Sequence, residues 1–147
     1  MFFSPMHSPR QGRASAHAYQ SIAVETRTAD ADPHQLVAML FDGFFESVAK
    51  ARGALRQGDI PGKGRAIGRA VRIIDEGLRG ALDLKHGGPL ARDLHDLYEY
   101  VTRRLTEANL SNDESLLDEC VALVQPLAEA WASIRPQLPA AHGIAGA

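Results

Sequence analysis

This sequence predicts an all-α protein, an antiparallel up-and-down four-helix bundle with a flexible N-terminal segment. Three observations carry that expectation. Aromatic residues make up only 6% of the chain while apolar residues reach 45%; Ala, Leu, Arg and Glu dominate its middle, a composition that favours helix over sheet. Four stretches repeat their apolar residues at intervals of three and four. The breakers between them are only a few residues long, so consecutive helices must double back on one another.

The 147 residues fit one domain whose core stands without staples. Residues 1–18 and 136–147 read as disordered tails, because small residues, Pro and Gly cannot bury enough apolar area to offset the entropy of ordering. Residues 19–135 form the bundle domain, with 19–31 as an N-terminal cap segment. The first helix opens at Asp32-Pro33, a capping residue followed by Pro at the first helical position. It carries Leu36, Val37, Leu40, Phe41, Phe44, Phe45 and Val48, and Gly58 stops it. A second segment follows Asp59 to about Lys85 with Ile60, Ile67, Val71, Ile74, Leu78 and Leu82 on one stripe. Five glycines weaken it, at up to ~1 kcal/mol each relative to Ala. The third opens after His86-Gly87-Gly88-Pro89, and Leu90, Leu94, Leu97, Val101, Leu105 and Ala108 form its stripe. Asn109 to Asn112 make the next turn. The fourth starts near Asn112-Asp113 and carries Leu116, Leu117, Cys120, Val121, Leu123, Val124, Leu127, Trp131 and Ile134. Pro126 is expected to kink or locally break it.

The balance of 16 basic and 18 acidic residues leaves a formal charge of -2. Nucleic-acid binding needs a basic excess, so no nucleic-acid partner is expected. The local basic stretch of Lys50, Arg52, Arg56, Lys63, Arg65, Arg69 and Arg72 reads as a solvated helix face. Cys120, the single cysteine, rules out an internal disulfide and suits a core position in a reducing compartment. No apolar run approaches the ~18 residues of a spanning helix, and Met1 to Ala18 lacks the apolar stretch of a secretory signal. No membrane insertion is expected, and the location is cytoplasmic.

Chemistry finds few residues to rest on. A di-metal carboxylate bundle needs Glu-x-x-His pairs on two helices, and the chain has none. Asp83-x-x-His86 is its nearest match, where the imidazolium better complements a helix end. His95 and Asp96 beside Glu99 form a polar face without a nucleophile at helical spacing. Gly62-Lys63-Gly64-Arg65 lacks the phosphate-loop pattern and any preceding strand. No catalytic residue, metal or cofactor is expected, and the protein is read as not an enzyme.

The apolar faces say more. The third helix confines its stripe to roughly 100°, whereas the first and fourth spread theirs over about 180° and about 160°, more than a four-helix core consumes. Ile73 and Leu84 point away from the second stripe, as do Tyr98 and, further, Tyr100 on the third. Loops and tails could cover this surplus, or it could form an apolar groove for an amphipathic partner. With Leu116 and Leu123 of the broad fourth helix, these residues are the candidate partner surface. Tyr19-Gln20-Ser21-Ile22-Ala23-Val24, too short to fold alone, could lie in such a groove as a cap that a partner displaces; Tyr19 and Ile22 are its candidate contacts.

Several motifs resemble one family. Ala18-Tyr19-Gln20 and Glu25-Thr26, then Asp32-Pro33-His34-Gln35-Leu36-Val37-Ala38-Met39-Leu40-Phe41-Asp42-Gly43, are similar to the opening of the FliS family, with Phe41 where a Tyr is usual. Tyr98-Glu99-Tyr100-Val101-Thr102-Arg103-Arg104-Leu105-Thr106-Glu107-Ala108-Asn109 resembles its most distinctive stretch. Asn112-Asp113 and Ala130-Trp131 match its last helix. The similarity spans roughly residues 18–135. It implies a cytosolic flagellar secretion chaperone that holds the C-terminal segment of flagellin, prevents premature polymerisation and delivers it to the flagellar type III export gate. It also implies that Tyr19 and Ile22 belong to a segment packing over the binding surface in the free protein. The oligomeric state, monomer or homodimer, stays open. A second reading is a helical-bundle signalling or phosphotransfer adaptor, for which His95 is the histidine to consider.

Overall fold

The computed structural model describes residues 32–134. Among them the chain forms α1 (Pro33–Arg56), α2 (Ile60–Arg72), a π-helical turn (Ile73–Arg79) continuing α2, α3 (Gly88–Ser111) and α4 (Glu114–Ile134). The expected all-α four-helix bundle is what these residues build. The cap segment 19–31 with Tyr19 and Ile22, and the two tails, lie outside the described residues.

Each boundary has a local cause. Asp32 accepts a hydrogen bond from the Gln35 backbone N–H at 2.8 Å, and the Gln35 side chain accepts from the Asp32 N–H at 3.2 Å. This reciprocal box and Pro33 start α1. Gly58, at φ 75°, turns the chain out of it through a conformation that a side chain would resist. Asp59 then caps α2 by accepting from Gly62 N–H at 3.0 Å. Asn112 closes α3 in the left-handed region, at φ 53° and ψ 46°, and Asp113 accepts from Ser115 N–H at 2.9 Å as α4 begins.

Each helix lies mainly against the two helices beside it in a square, α1 against α2 and α4, and α3 against the same two. Polar contacts fix the antiparallel directions. Arg69 of α2 donates to Gly43 O and Ser47 Oγ midway along α1, at 3.1 and 2.7 Å. Lys63 at the start of α2 reaches Asn109 O at the end of α3, at 2.8 Å, and Asn112 Oδ1. Arg52 and Arg56 at the end of α1 pair with Asp118 and Glu114 at the start of α4. Leu40, Phe44 and Val48 of α1, Ile67 and Ile74, Val101 and Leu105 of α3, and Leu117, Cys120 and Val124 of α4 fill the centre.

Five expectations need correction. The second segment ends as a helix at Arg79, not near Lys85, and its last turn is π rather than α. Ile73, expected to point away from the stripe, is 0% exposed. The wider i→i+5 turn, seen in Gly80 N–H to Asp75 O at 3.1 Å, lets Ile73 and Ile74 face inward together, and Gly77 and Leu78 after them. Tyr98, also expected off its stripe, is buried, and Leu90, expected on it, is 68% exposed because it sits in the first turn of α3, where Ala91 takes the inward position. Of the kink or break expected at Pro126, the break is absent: α4 runs through it. Its missing N–H would have met the carbonyl of Ala122, and both residues are exposed, so the freed acceptor lies on the solvent side of the helix.

The glycines of the second segment divide by what lies beyond them. A Cβ on Gly77 would stand 3.0 and 3.1 Å from the two methyls of Leu40, which is buried and cannot retreat. A Cβ on Gly68 would meet nothing. Gly68→Ala is therefore expected to stabilise the protein by about 0.5–1 kcal/mol, while Gly77→Ala destabilises it by about 1–3 kcal/mol through overpacking. Urea midpoints of the two variants check both signs.

Candidate functional site

The outer face where α3 meets α4 carries a mixture of half-buried apolar and polar side chains. Leu97, Tyr100 and Arg104 line α3 at spacings of three and four, and Leu116, Glu119 and Leu123 line α4 in the same way; all six are half-buried. The two rows meet at Glu119. Tyr100 Oη donates to its Oε2 at 2.5 Å, and Arg104 Nε donates to its Oε1 at 2.8 Å. Because both helices rise equally per residue, this crossing sets Leu116 level with Arg104 and Leu123 level with Leu97. The result is an apolar seam with a polar belt across its middle.

The belt is closed on itself. Arg104 Nη1 also donates to Glu107 Oε1 at 2.8 Å. The guanidinium carbons of Arg103 and Arg104 lie 5.6 and 5.7 Å from the centroid of the Tyr100 ring, within the range of cation–π attraction. The hydrogen bond from Tyr100, and then that from Arg104, hold the Glu119 carboxyl below its usual range; the same bond to Glu119 raises the Tyr100 phenol. Behind the belt, burial pushes the Cys120 thiol up to about 12, and its Sγ lies 3.8 Å from Val101 O. Such a thiol is an inert small hydrophobe.

Two clamps hold the ends. At one end, Lys63 is 3% exposed and places its ammonium against the carbonyl end of α3, where the helix dipole favours a cation. At the other, His34 and Trp131 stack with centroids 4.6 Å apart and planes 8° apart. Trp131 Nε1 donates to His34 O at 3.0 Å, and His34 Nε2 donates to Trp131 O at 2.9 Å. A carbonyl only accepts, so the proton sits on Nε2.

His95, Asp96 and Glu99 bring ligand atoms within 4.8 Å of one another. Arg79 Nη1, however, stands 3.2 Å from His95 Nε2 and 3.8 Å from a Glu99 oxygen. A permanent cation already occupies the space that a metal ion would need. Asp83 and His86 lie in the turn beyond the π-helical segment and not at a helix end. There Asp83 accepts from the Lys85 and His86 backbone N–H groups at 3.1 and 3.0 Å.

Of the residues that the sequence marked for partner binding, Tyr100, Leu116 and Leu123 fall on the seam. Leu84 is 49% exposed, in the turn between the π-helical segment and α3, apart from them. Ile73 and Tyr98 are inside the core and present little surface. Leu97, Arg103, Arg104 and Glu119 were not singled out from the sequence. The signal that could have found them is their spacing of three and four from Tyr100, Leu116 and Leu123.

Folding depresses the Glu119 carboxyl, so the stability its belt contributes is whole above the ordinary carboxylate range and is lost as the pH falls through the lowered value. Glu119→Gln is thus expected to lose stability at neutral pH and to show a shallower decline on acidification than the parent chain. Urea unfolding followed across the acid range tests this, and parallel curves would exclude it.

Comparison with known proteins places the chain. The family model described as "Flagellar protein FliS" matches residues 15–138. A flagellar secretion chaperone FliS of Salmonella typhimurium is 45% identical over 120 residues, covering 82% of this chain and 89% of that protein. The flagellar secretion chaperone FliSB of Pseudomonas aeruginosa is 49% identical over 116 residues, covering 79% and 91%. A flagellar secretion chaperone FliS of Bacillus subtilis is 30% identical over 130 residues, covering 88% and 92%. With nearly the whole bundle matched in each comparison, the chain belongs to the FliS family.

Proposed function

We propose that this chain is a cytoplasmic secretion chaperone whose client is flagellin, held by its C-terminal segment along the apolar surface of α3 and α4. Binding keeps the client from polymerising early, and the complex delivers it to the flagellar export gate. The observation that carries the reading is the seam: Leu97, Leu116 and Leu123 are packed against the core yet only partly buried. A client segment that covers them removes apolar area from water, which offsets the entropy of ordering it. Membership of the FliS family, with relatives that are flagellar secretion chaperones, supports the same reading. No described helix is long and apolar enough to cross a membrane.

The adaptor reading is weaker. His95 is flanked by Asp96 at 3.3 Å and Glu99 at 3.8 Å, and a phosphoryl group on its ring would meet both carboxylates.

A synthetic flagellin C-terminal peptide is expected to bind at micromolar strength or tighter and to gain helicity in the complex, measured by titration calorimetry and circular dichroism. A folded chain that leaves the peptide free at high concentration would refute the proposal. Residues 19–31 act in this reading as a displaceable cap through Tyr19 and Ile22. Deleting residues 1–24 is then expected to leave the bundle folded and to speed client association in stopped-flow mixing; an unchanged rate removes the cap and leaves the chaperone.

A further inference from the structure

The seam is polar at its midpoint, and the carboxylate at its centre is already spent. Glu119 is engaged through both oxygens, one by Tyr100 and one by Arg104. Arg104 is itself committed to Glu119 and Glu107. Arg103 differs. It is exposed, its guanidinium lies over the Tyr100 ring, and among the described residues no carboxylate lies within ion-pair distance of it. A guanidinium carries five N–H donors and no acceptor. Glu119 is therefore spent inside the seam, while Arg103 faces out with its donors and one Glu107 oxygen stays exposed a turn further on.

The cation–π attraction to the ring also prepares Arg103 for an interface. An arginine resting on an aromatic face has given up part of its hydration and some rotamer freedom, so less is lost when it forms a forked pair with a carboxylate. The hydrogen bond to Glu119 fixes the ring on which it rests. Leucines lie on both sides of this point, with Leu116 one turn before Glu119 on α4 and Leu123 one turn after it. A chain lying along the seam thus meets an apolar site, a cationic donor and a second apolar site.

We infer that Arg103 is a specificity-determining residue, which selects client segments that carry an acidic side chain between two apolar anchors. The inference rests on the client reading above and adds the sequence pattern that a client must have. A neutral or basic residue at that position leaves the guanidinium uncompensated under a covering chain, which costs affinity.

The test uses the full-length chain and a flagellin C-terminal peptide, with a second peptide in which every Asp and Glu becomes Asn or Gln. Association and dissociation rates are measured for the parent chain and for Arg103→Glu, at low and at high salt, with helicity confirming the fold of the variant. For the native peptide the charge reversal is expected to weaken binding about threefold to tenfold at low salt, mostly through the association rate, with the loss shrinking at high salt. For the amide peptide the two proteins should bind alike. Equal binding of the native peptide by both proteins at low salt overturns the inference and leaves the chaperone reading intact. So does an equal loss with both peptides, which would mark Arg103 as acting through packing alone. Failure of the parent chain to bind either peptide overturns the client reading, and this inference with it.

Discussion

Two glycines set how closely the first two helices approach, and the rest of the bundle follows from that distance. At Gly43 an added Cβ would stand 3.2 Å from the Ile73 Cδ1, and at Gly77 the Leu40 methyls already fill the space. Backbone on one helix meets side chain on the other at both crossings, so α1 and the second helix press together along most of their length. Arg69 reaches across the same gap to the Gly43 carbonyl and Ser47, which satisfies polar atoms that the close approach would otherwise strand. Tight packing on this side buries Leu40, Phe41, Phe44, Val48 and Ala51 of α1, while Leu36, Val37 and Phe45 stay half-buried. Nothing comparable closes the opposite side. There α3 and α4 meet through long side chains, and their leucines remain half in water.

That asymmetry explains which parts of the molecule were legible in the sequence. Helix starts were readable because caps are local: Asp32-Pro33, Asp59 and Asp113 each act within three residues. The stripe of α3 was readable from Leu94 inward because a single face of that helix meets the core. The π-helical turn was not, since nothing in a 3.6-residue pattern announces that Ile73 and Ile74 will both be buried. It is the crossing with α1 that decides, through Gly77 and Leu40, a pair 37 residues apart in the chain. Ile73 was assigned to the surface for this reason. Leu90 failed in the opposite way, because in the first turn of α3 the neighbouring Ala91 takes the inward position.

The candidate surface shows the same division. Tyr100, Leu116 and Leu123 could be identified one helix at a time, as apolar residues in excess of a core face. Glu119 and Arg103 could not, because their meaning depends on the neighbouring helix. Glu119 matters as the carboxylate that Tyr100 and Arg104 share across the seam, and Arg103 through the ring that this sharing holds still. Single-helix periodicity finds the oily part of a binding surface; the polar part needs the register between helices, which the Tyr100–Glu119 bond sets.

The clamps at the two ends bear on how such a surface binds. A chaperone with a soft groove would share with its client the entropy of ordering. Here Lys63 ties the start of α2 to the end of α3, and the His34–Trp131 stack ties the start of α1 to the end of α4. Neither clamp touches the seam, yet together they join the four helices in pairs at opposite ends. Neither joins α3 to α4 directly; across that gap the bonds of Tyr100 and Arg104 to Glu119 hold the pair. In the proposed reading, ordering would fall on a client segment that adopts the spacing the seam already has. A preformed surface of this kind discriminates by pattern as well as by oiliness, because a rigid row of sites cannot slide to suit a mismatched guest.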